Sequence, residues 1–297
     1  MKNGRSSDTA LFSALARAAH LLFDEKPWIF EDTLAVAFSG IGDQSSLLSA
    51  WSSLEKELAE RSSPAVAQLW LRSARAAVTA RARYVEDEIQ TAMERGVAQY
   101  VILGAGYDSF AYRRRELVSS LRVFEVDYPA TQQQKQARLQ DMNVTVPPNL
   151  TFVPVDFEQQ EIMRALRNAG YRDNTPSFVS WLGVTWYLSQ DAIFETLRQL
   201  ASAARGSQVV FDYVLAGTLP DEDDRLVLTA LESLAADRGE PGRTSFTPAD
   251  LAARVKEQGF TSVSDLDSQA AIARYFADRA DGLRHPGFIR MLHAQVG

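Results

Sequence analysis

The segment Gln99-Tyr100-Val101-Ile102-Leu103-Gly104-Ala105-Gly106-Tyr107-Asp108-Ser109 is the most informative in this chain. A short continuous apolar run, 100–103, ending in glycines is the pattern of a strand covered on both faces of a parallel sheet. The absent side chains of Gly104 and Gly106 let backbone approach a ligand, and Ser109 is placed to cap the next helix. Taken alone the turn says little, because Gly-x-Gly also occurs where only turn geometry demands it.

The sequence downstream of the turn carries more. Apolar runs recur at Arg122 to Val126, Leu150 to Val155, Ser177 to Trp181 and Gln208 to Val214, with helical patterns at Thr131 to Met142, Gln159 to Ala169 and Ser189 to Ala204 between them. Strand alternating with helix in this way predicts right-handed crossovers and an α/β, Rossmann-like, doubly wound and mostly parallel sheet. Its ligands belong beyond the carboxyl ends of the strands. Further on come an acidic segment at Asp221–Asp224, expected as a loop, a Gly/Pro-rich link at Gly239–Gly242 and a helix at Pro248 to Gln258. Two late apolar runs, Ser262 to Leu266 and Phe288 to His293, are placed to close the sheet as an antiparallel pair.

Upstream of Gln99, residues Asp8 to Glu94 show helical periodicity and no convincing strand, with Leu11, Leu15, Ala18 and Leu22 on one face. Breaks at Lys26-Pro27, Ser39–Gly42 and Ser62-Ser63-Pro64 divide the region into three or four helices. The expected organisation is a helical N-terminal cap over residues 1–95 and a core over 96–297, with a lid or insert around 215–247.

Composition bounds the partners. The chain has 297 residues, 46% hydrophobic, and a formal net charge of -7, so clustered basic residues for a nucleic-acid backbone are not expected. A small molecule or short peptide is the expected partner. There is no cysteine, which excludes disulfides, thiolate-bound metal and a cysteine nucleophile and fits a reducing compartment. No metal site is expected. The polar start, Met1 to Asp8, lacks a secretory pattern and no apolar stretch reaches membrane-spanning length, so the expectation is a cytoplasmic protein without membrane contact.

Asp127 lies 23 residues past Gly104, at the end of Val123-Phe124-Glu125-Val126-Asp127, where a carboxylate accepts both ribose hydroxyls of an adenosine ligand. Ser109 stands where a dinucleotide fingerprint carries its third glycine, which disfavours a nicotinamide cofactor relative to a mononucleoside. Asp156, in Phe152-Val153-Pro154-Val155-Asp156-Phe157, is placed to take an adenine amino group while Phe157 packs on the ring.

Through these residues the chain resembles the leucine carboxyl methyltransferase-like family, in its bacterial branch of S-adenosyl-L-methionine-dependent O-methyltransferases. The resemblance covers nearly the whole chain. It rests on Arg81–Glu88, Gln99–Arg113, Phe124–Gln132, Phe152–Glu158 and Trp181-Leu182-Gly183-Val184-Thr185-Trp186-Tyr187-Leu188. It implies S-adenosyl-L-methionine as cofactor, with Arg81 on its carboxylate, Gly104, Ala105 and Gly106 along its methionine portion, Asp127 and Tyr128 at the ribose, Asp156 and Phe157 around the adenine, and Trp181 and Leu182 beside it. Because Arg72, Arg75 and Arg81 share one helical stretch, a solvated basic face is the alternative for Arg81.

Leu182 departs from the family pattern, since the protein-phosphatase methyltransferases carry a glutamate there; transfer of their protein substrate is thereby in doubt. Trp28, Trp186, Tyr187 and Tyr213 are candidates for the acceptor pocket, with Phe30 beside Trp28. No catalytic residue is assigned. His20 reads as a packed residue, His285 as part of a surface turn, and Asp212 as a strand-end acid that orients a hydroxyl or caps a loop. Two other readings stay open: an adenosine-binding module without turnover, and a nicotinamide-dependent oxidoreductase.

Overall fold

A computed structural model describes residues 8–157, 159–237, 239 and 241–297; the expectations for residues 1–7, for Glu158, for Arg238 and for Glu240 lie outside them. The N-terminal part folds as α1 (Asp8–Phe23), α2 (Ala35–Phe38), α3 (Gln44–Arg61) and α4 (Pro64–Glu94). Two polar caps start the longer ones. Asp43 accepts from the backbone of Ser46 at 2.7 Å, and Ser63 accepts from Val66 ahead of Pro64, whose missing donor costs nothing in a first turn.

Strands β1 (Gln99–Leu103), β2 (Arg122–Asp127), β3 (Leu150–Pro154), β4 (Ser177–Trp181), β5 (Gln208–Val214), β6 (Phe260–Leu266) and β7 (Ile289–Val296) form one sheet in the order β3-β2-β1-β4-β5-β7-β6. The first five are parallel, and β7 runs antiparallel to both β5 and β6. The expected closing pair is therefore present. Strand order reverses between β1 and β4, which makes a crevice above their carboxyl ends.

Both faces of the sheet are covered, as continuous apolar strands require. Val101, Leu103, Phe124, Val126, Val179 and Phe211 point to one core with α7 (Ile162–Asn168), α8 (Gln190–Leu200) and α10 (Pro248–Glu257). Their neighbours Tyr100, Ile102, Val123, Phe178 and Val210 point to the other. There they meet Val85 and Ile89 of α4, Phe110 and Ala111 of α5 (Phe110–Arg113) and Leu139 of α6 (Pro129–Asp141). Ala14 of α1 belongs to this second core, so the helical region and the sheet share one interior.

Three expectations change. The acidic segment Asp221–Asp224 enters a helix, α9 (Glu222–Asp237), because carboxylates in a first turn complement the helix dipole. On the expected face of α1, Ala18 is buried and the partly buried Leu15 and Leu22 pack against its cluster, but Leu11 stays 37% exposed, and Ala14, Arg17 and His20 are buried as well. Ser109 does not cap α5: its hydroxyl accepts from Arg113 at 2.8 Å, and the Asp108 carboxylate takes the Phe110 N–H at 2.8 Å instead. The helix α11 (Ser268–Tyr275) and two short 3-10 turns, Arg115–Leu117 and Thr185–Tyr187, complete the described elements.

Inside the second core lies an ion pair. Lys135 and Glu125, each 1% exposed, meet at 2.6 Å, and burial pushes the Glu125 carboxyl up to about 7 despite the lysine. Lys135→Met is expected to destabilise the fold by about 3–5 kcal/mol, as removal of one partner strands a buried charge. Denaturant unfolding would measure it, and adding Glu125→Leu to the same chain should recover only the part due to the stranded carboxyl, since the Asp108 carbonyl still lacks its Lys135 donor.

Candidate functional site

A cavity of about 360 Å³ occupies the crevice above β1 and β4. The turn Gly104-Ala105-Gly106 forms its floor, Asp127, Tyr128, Asp156 and Phe157 one side, and Leu182, Gly183, Val184 and Tyr187 the other. Its roof is helical, with Ser13 and Arg17 from α1 and Val78, Arg81 and Glu86 from α4.

The turn is held by backbone and by two buried cations. Gly104 and Ala105 donate N–H to the Val126 carbonyl at 2.8 and 3.1 Å. Arg17 donates to the Tyr107 carbonyl at 2.7 Å and pairs with Asp32 at 2.7 Å, and Lys135 donates to the Asp108 carbonyl at 2.7 Å. Asp32 is fully buried; Arg17 and Arg113 outweigh its desolvation and hold its carboxyl below the usual range. Gly104 has φ +66, and a Cβ there would lie 2.5 Å from Val184 Cγ2, so only glycine leaves the cradle open.

Asp127 accepts N–H groups from Gly106 and Tyr128 and stays 7% exposed on the cavity wall. Burial raises its carboxyl above the ordinary value, and the two amides counter part of that rise.

Arg81 is no part of a solvated face. Its side chain is 13% exposed, its Nη1 donates to Asp212 Oδ2 at 2.8 Å and its Nη2 to Ser13 Oγ at 3.2 Å. The other Asp212 oxygen accepts the Gly183 N–H at 2.7 Å. Gly183, at φ +70, leaves room for the guanidinium, since a Cβ would sit 2.7 Å from Arg81 Nη2. Arg75, six residues earlier, is also buried and binds Asp24.

A second cavity, of about 120 Å³, abuts the first; Ser13, Val78, Arg81, Gly183, Val184 and Tyr187 line both. Trp186 and Tyr213 line only this smaller one. Two expected residues fall elsewhere. Trp181 alternates away from the crevice into the core at 0% exposure, leaving Ser180 and Leu182 on the cavity side. Trp28 lines neither cavity and carries the Lys26 ammonium 4.2 Å from its ring centre; Phe30, two residues on, reaches the wall.

None of the chain's three histidines lines either cavity. His20 is fully buried: Nε2 accepts from Ile29 at 3.1 Å, so Nδ1 donates to Asp24 at 2.8 Å. His293 contacts Gln208 at 2.8 Å. His285 is not in a surface turn but 1% exposed beside Phe276, and neither ring nitrogen has a hydrogen-bond partner among the described residues. Sequence reasoning passed over Arg17, Asp32, Glu125 and Lys135. The visible signal is a lone ionisable residue in an apolar context, as Glu125 is in β2.

A glycine turn, two strand-end acids and an arginine around one cavity at the reversal point of this sheet are the arrangement expected of a class I, S-adenosyl-L-methionine-dependent methyltransferase. Similarity to known proteins agrees. The family model described as leucine carboxyl methyltransferase matches residues 10–201, and the chain belongs to that family. YktD of Bacillus subtilis (strain 168), an inferred S-adenosyl-L-methionine-dependent methyltransferase, is 34% identical over 99% of each chain. A Streptomyces coelicolor protein named in the same way, SCO7813, is 30% identical over 69% of this chain and 72% of its own. Among solved structures, a DUF574 family protein from Streptomyces avermitilis has a TM-score of 0.61 at 17% identity, over 88% of this chain and 95% of its own, which speaks to the fold alone. Among the described residues no helix is long and apolar enough to cross a membrane.

Two outcomes are expected. Gly104→Ala should weaken binding of S-adenosyl-L-homocysteine at least about tenfold in calorimetry, since a left-handed non-glycine residue costs about 1–2 kcal/mol before the Val184 clash is added. Burial pushes His285 down to about 4 from an ordinary 6.5, so between those values the unfolded chain binds the proton and the folded chain does not. Stability should thus fall by up to about 3 kcal/mol as pH drops through that window, and His285→Phe should flatten this part of a melting-temperature profile.

Proposed function

We propose that the chain transfers a methyl group from S-adenosyl-L-methionine to a carboxylate oxygen of a small acceptor. The observation that carries this reading is the composition of the wall where the two cavities meet: an arginine, Arg81, and no histidine. A carboxylate is ionised at neutral pH and needs no base, whereas a phenol of pKa about 10 gains from one. The family's own description names a carboxyl acceptor.

The residues present fit the cofactor. Asp127 suits its ribose, Asp156 with Phe157 its adenine, and the side-chain-free Gly104 its methionine portion, while Arg81, which already binds Asp212 and Ser13, has further guanidinium N–H groups for its carboxylate. When bound it supplies an electrophilic methyl group on a sulfonium. The protein's part is to exclude water and hold the acceptor oxygen in line, which the helical roof of α1 and α4 supports. Leu182, apolar where the protein-phosphatase enzymes carry a glutamate, agrees with a different acceptor.

Asp127→Ala should weaken S-adenosyl-L-homocysteine binding by at least about 1.5 kcal/mol, the scale of charge-assisted hydrogen bonds. For the acceptor, the enzyme with methyl-labelled cofactor and a host extract of small metabolites should give a product whose label leaves as methanol in mild alkali. Label that resists alkali would mark an ether or amine and overturn the carboxylate reading.

A further inference from the structure

The smaller cavity differs in character from the larger. Phe12, Trp70, Trp186, Tyr187, Tyr213 and Phe288 contribute to its wall, and helices α4 and α9 cover it through residues such as Ala74 and Leu231. Phe12 and Trp70 meet at a tilt with ring centres 5.2 Å apart, and so do Trp186 and Tyr187 at 5.0 Å. Charge enters only at the neck, where Arg81 and Asp212 already satisfy one another.

Three of the hydroxyls that line it are engaged. Thr185 donates to the Asp212 carbonyl at 2.5 Å, Ser13 accepts from Arg81, and the Tyr213 phenol donates outward to Asp265. A volume of about 120 Å³ is close to the roughly 150 Å³ in which a dry apolar cavity takes up one benzene. Gly242 packs on the Trp186 indole so closely that a Cβ would lie 2.2 Å from it, which sets the position of that wall.

From these observations we infer that the smaller cavity is the acceptor subsite and takes a single six-membered aromatic ring, whose oxygen-bearing substituent stands at the junction with the larger cavity, beside Gly183 and Tyr187. The acceptor class is a small aromatic acid. This inference rests on the methyltransferase reading and names the substrate class of that same site. An apolar ring gains by leaving water for such a pocket, by about 25 cal/mol per Å² of area buried, and edge-to-face contacts with the wall add selectivity for aromatic over aliphatic bodies.

The test uses the full chain saturated with S-adenosyl-L-homocysteine and fluorine-detected titration of 4-fluorobenzoate and 4-fluorophenol. Binding of 4-fluorobenzoate is expected. It should weaken at least tenfold in Ala74→Phe and, as an independent plug, in Leu231→Phe, while affinity for S-adenosyl-L-homocysteine stays within twofold. That retained affinity also certifies each variant as folded. Binding of 4-fluorophenol alone, with the same loss in both variants, would keep the ring subsite and change the oxygen. Binding of neither ring, or binding undiminished in both plugged variants, would overturn the subsite. Absence of S-adenosyl-L-homocysteine binding by the parent chain is a separate failure, that of the methyltransferase reading itself.

Discussion

The larger cavity depends on the turn 104–109 being held in one shape, and two buried cations share that work with the backbone bonds to Val126. Arg17 takes the Tyr107 carbonyl and Lys135 the Asp108 carbonyl, and each cation is balanced by its own buried acid, Asp32 or Glu125. Charges removed from water are tolerable only when paired and hydrogen-bonded, so the two pairs constrain the turn as strongly as the turn needs them. The third anchor, Asp127 on the Gly106 N–H, ties the same turn to the neighbouring strand.

This arrangement explains why the helical N-terminal region cannot be treated as an appendage. Arg17 and Asp32 both lie there, Ala10 sits so near Gly106 that a Cβ on the glycine would come within 2.9 Å, and Ser13 reaches Arg81. The same helices that complete the turn therefore roof the cavity. Arg81, paired with Asp212, lines both the larger cavity and the small aromatic one beside it. The acidic Asp212 thus acquires a place that its position at the end of an apolar strand did not disclose.

Much of the fold was legible because it rests on local rules. The five parallel strands follow from apolar runs bounded by turns, and β4 and β5 match their expected limits. Gly104, Asp127 and Asp156 stand at successive strand ends, a relation visible in spacing alone. The misreadings have physical causes. The run Asp221–Asp224 resembles a loop by charge, yet a first helical turn welcomes carboxylates. Trp181 and Leu182 are neighbours, but alternation along a strand sends one to the core and the other to the cavity. His285 followed by Pro286-Gly287 looks exposed, while packing beside Phe276 buries it.

The α/β class, the placement of the glycine turn, the acids that accompany it and the family all come from the order of residues alone, since periodicity and motif spacing are properties of short segments. Which charges pair, which aromatic rings enclose the second cavity and which residues roof the first emerge only once the chain is packed. Those contacts join Arg17 to Tyr107, Arg81 to Asp212 and Trp70 to Phe288, residues far apart along the chain, and no local pattern encodes such long-range neighbours.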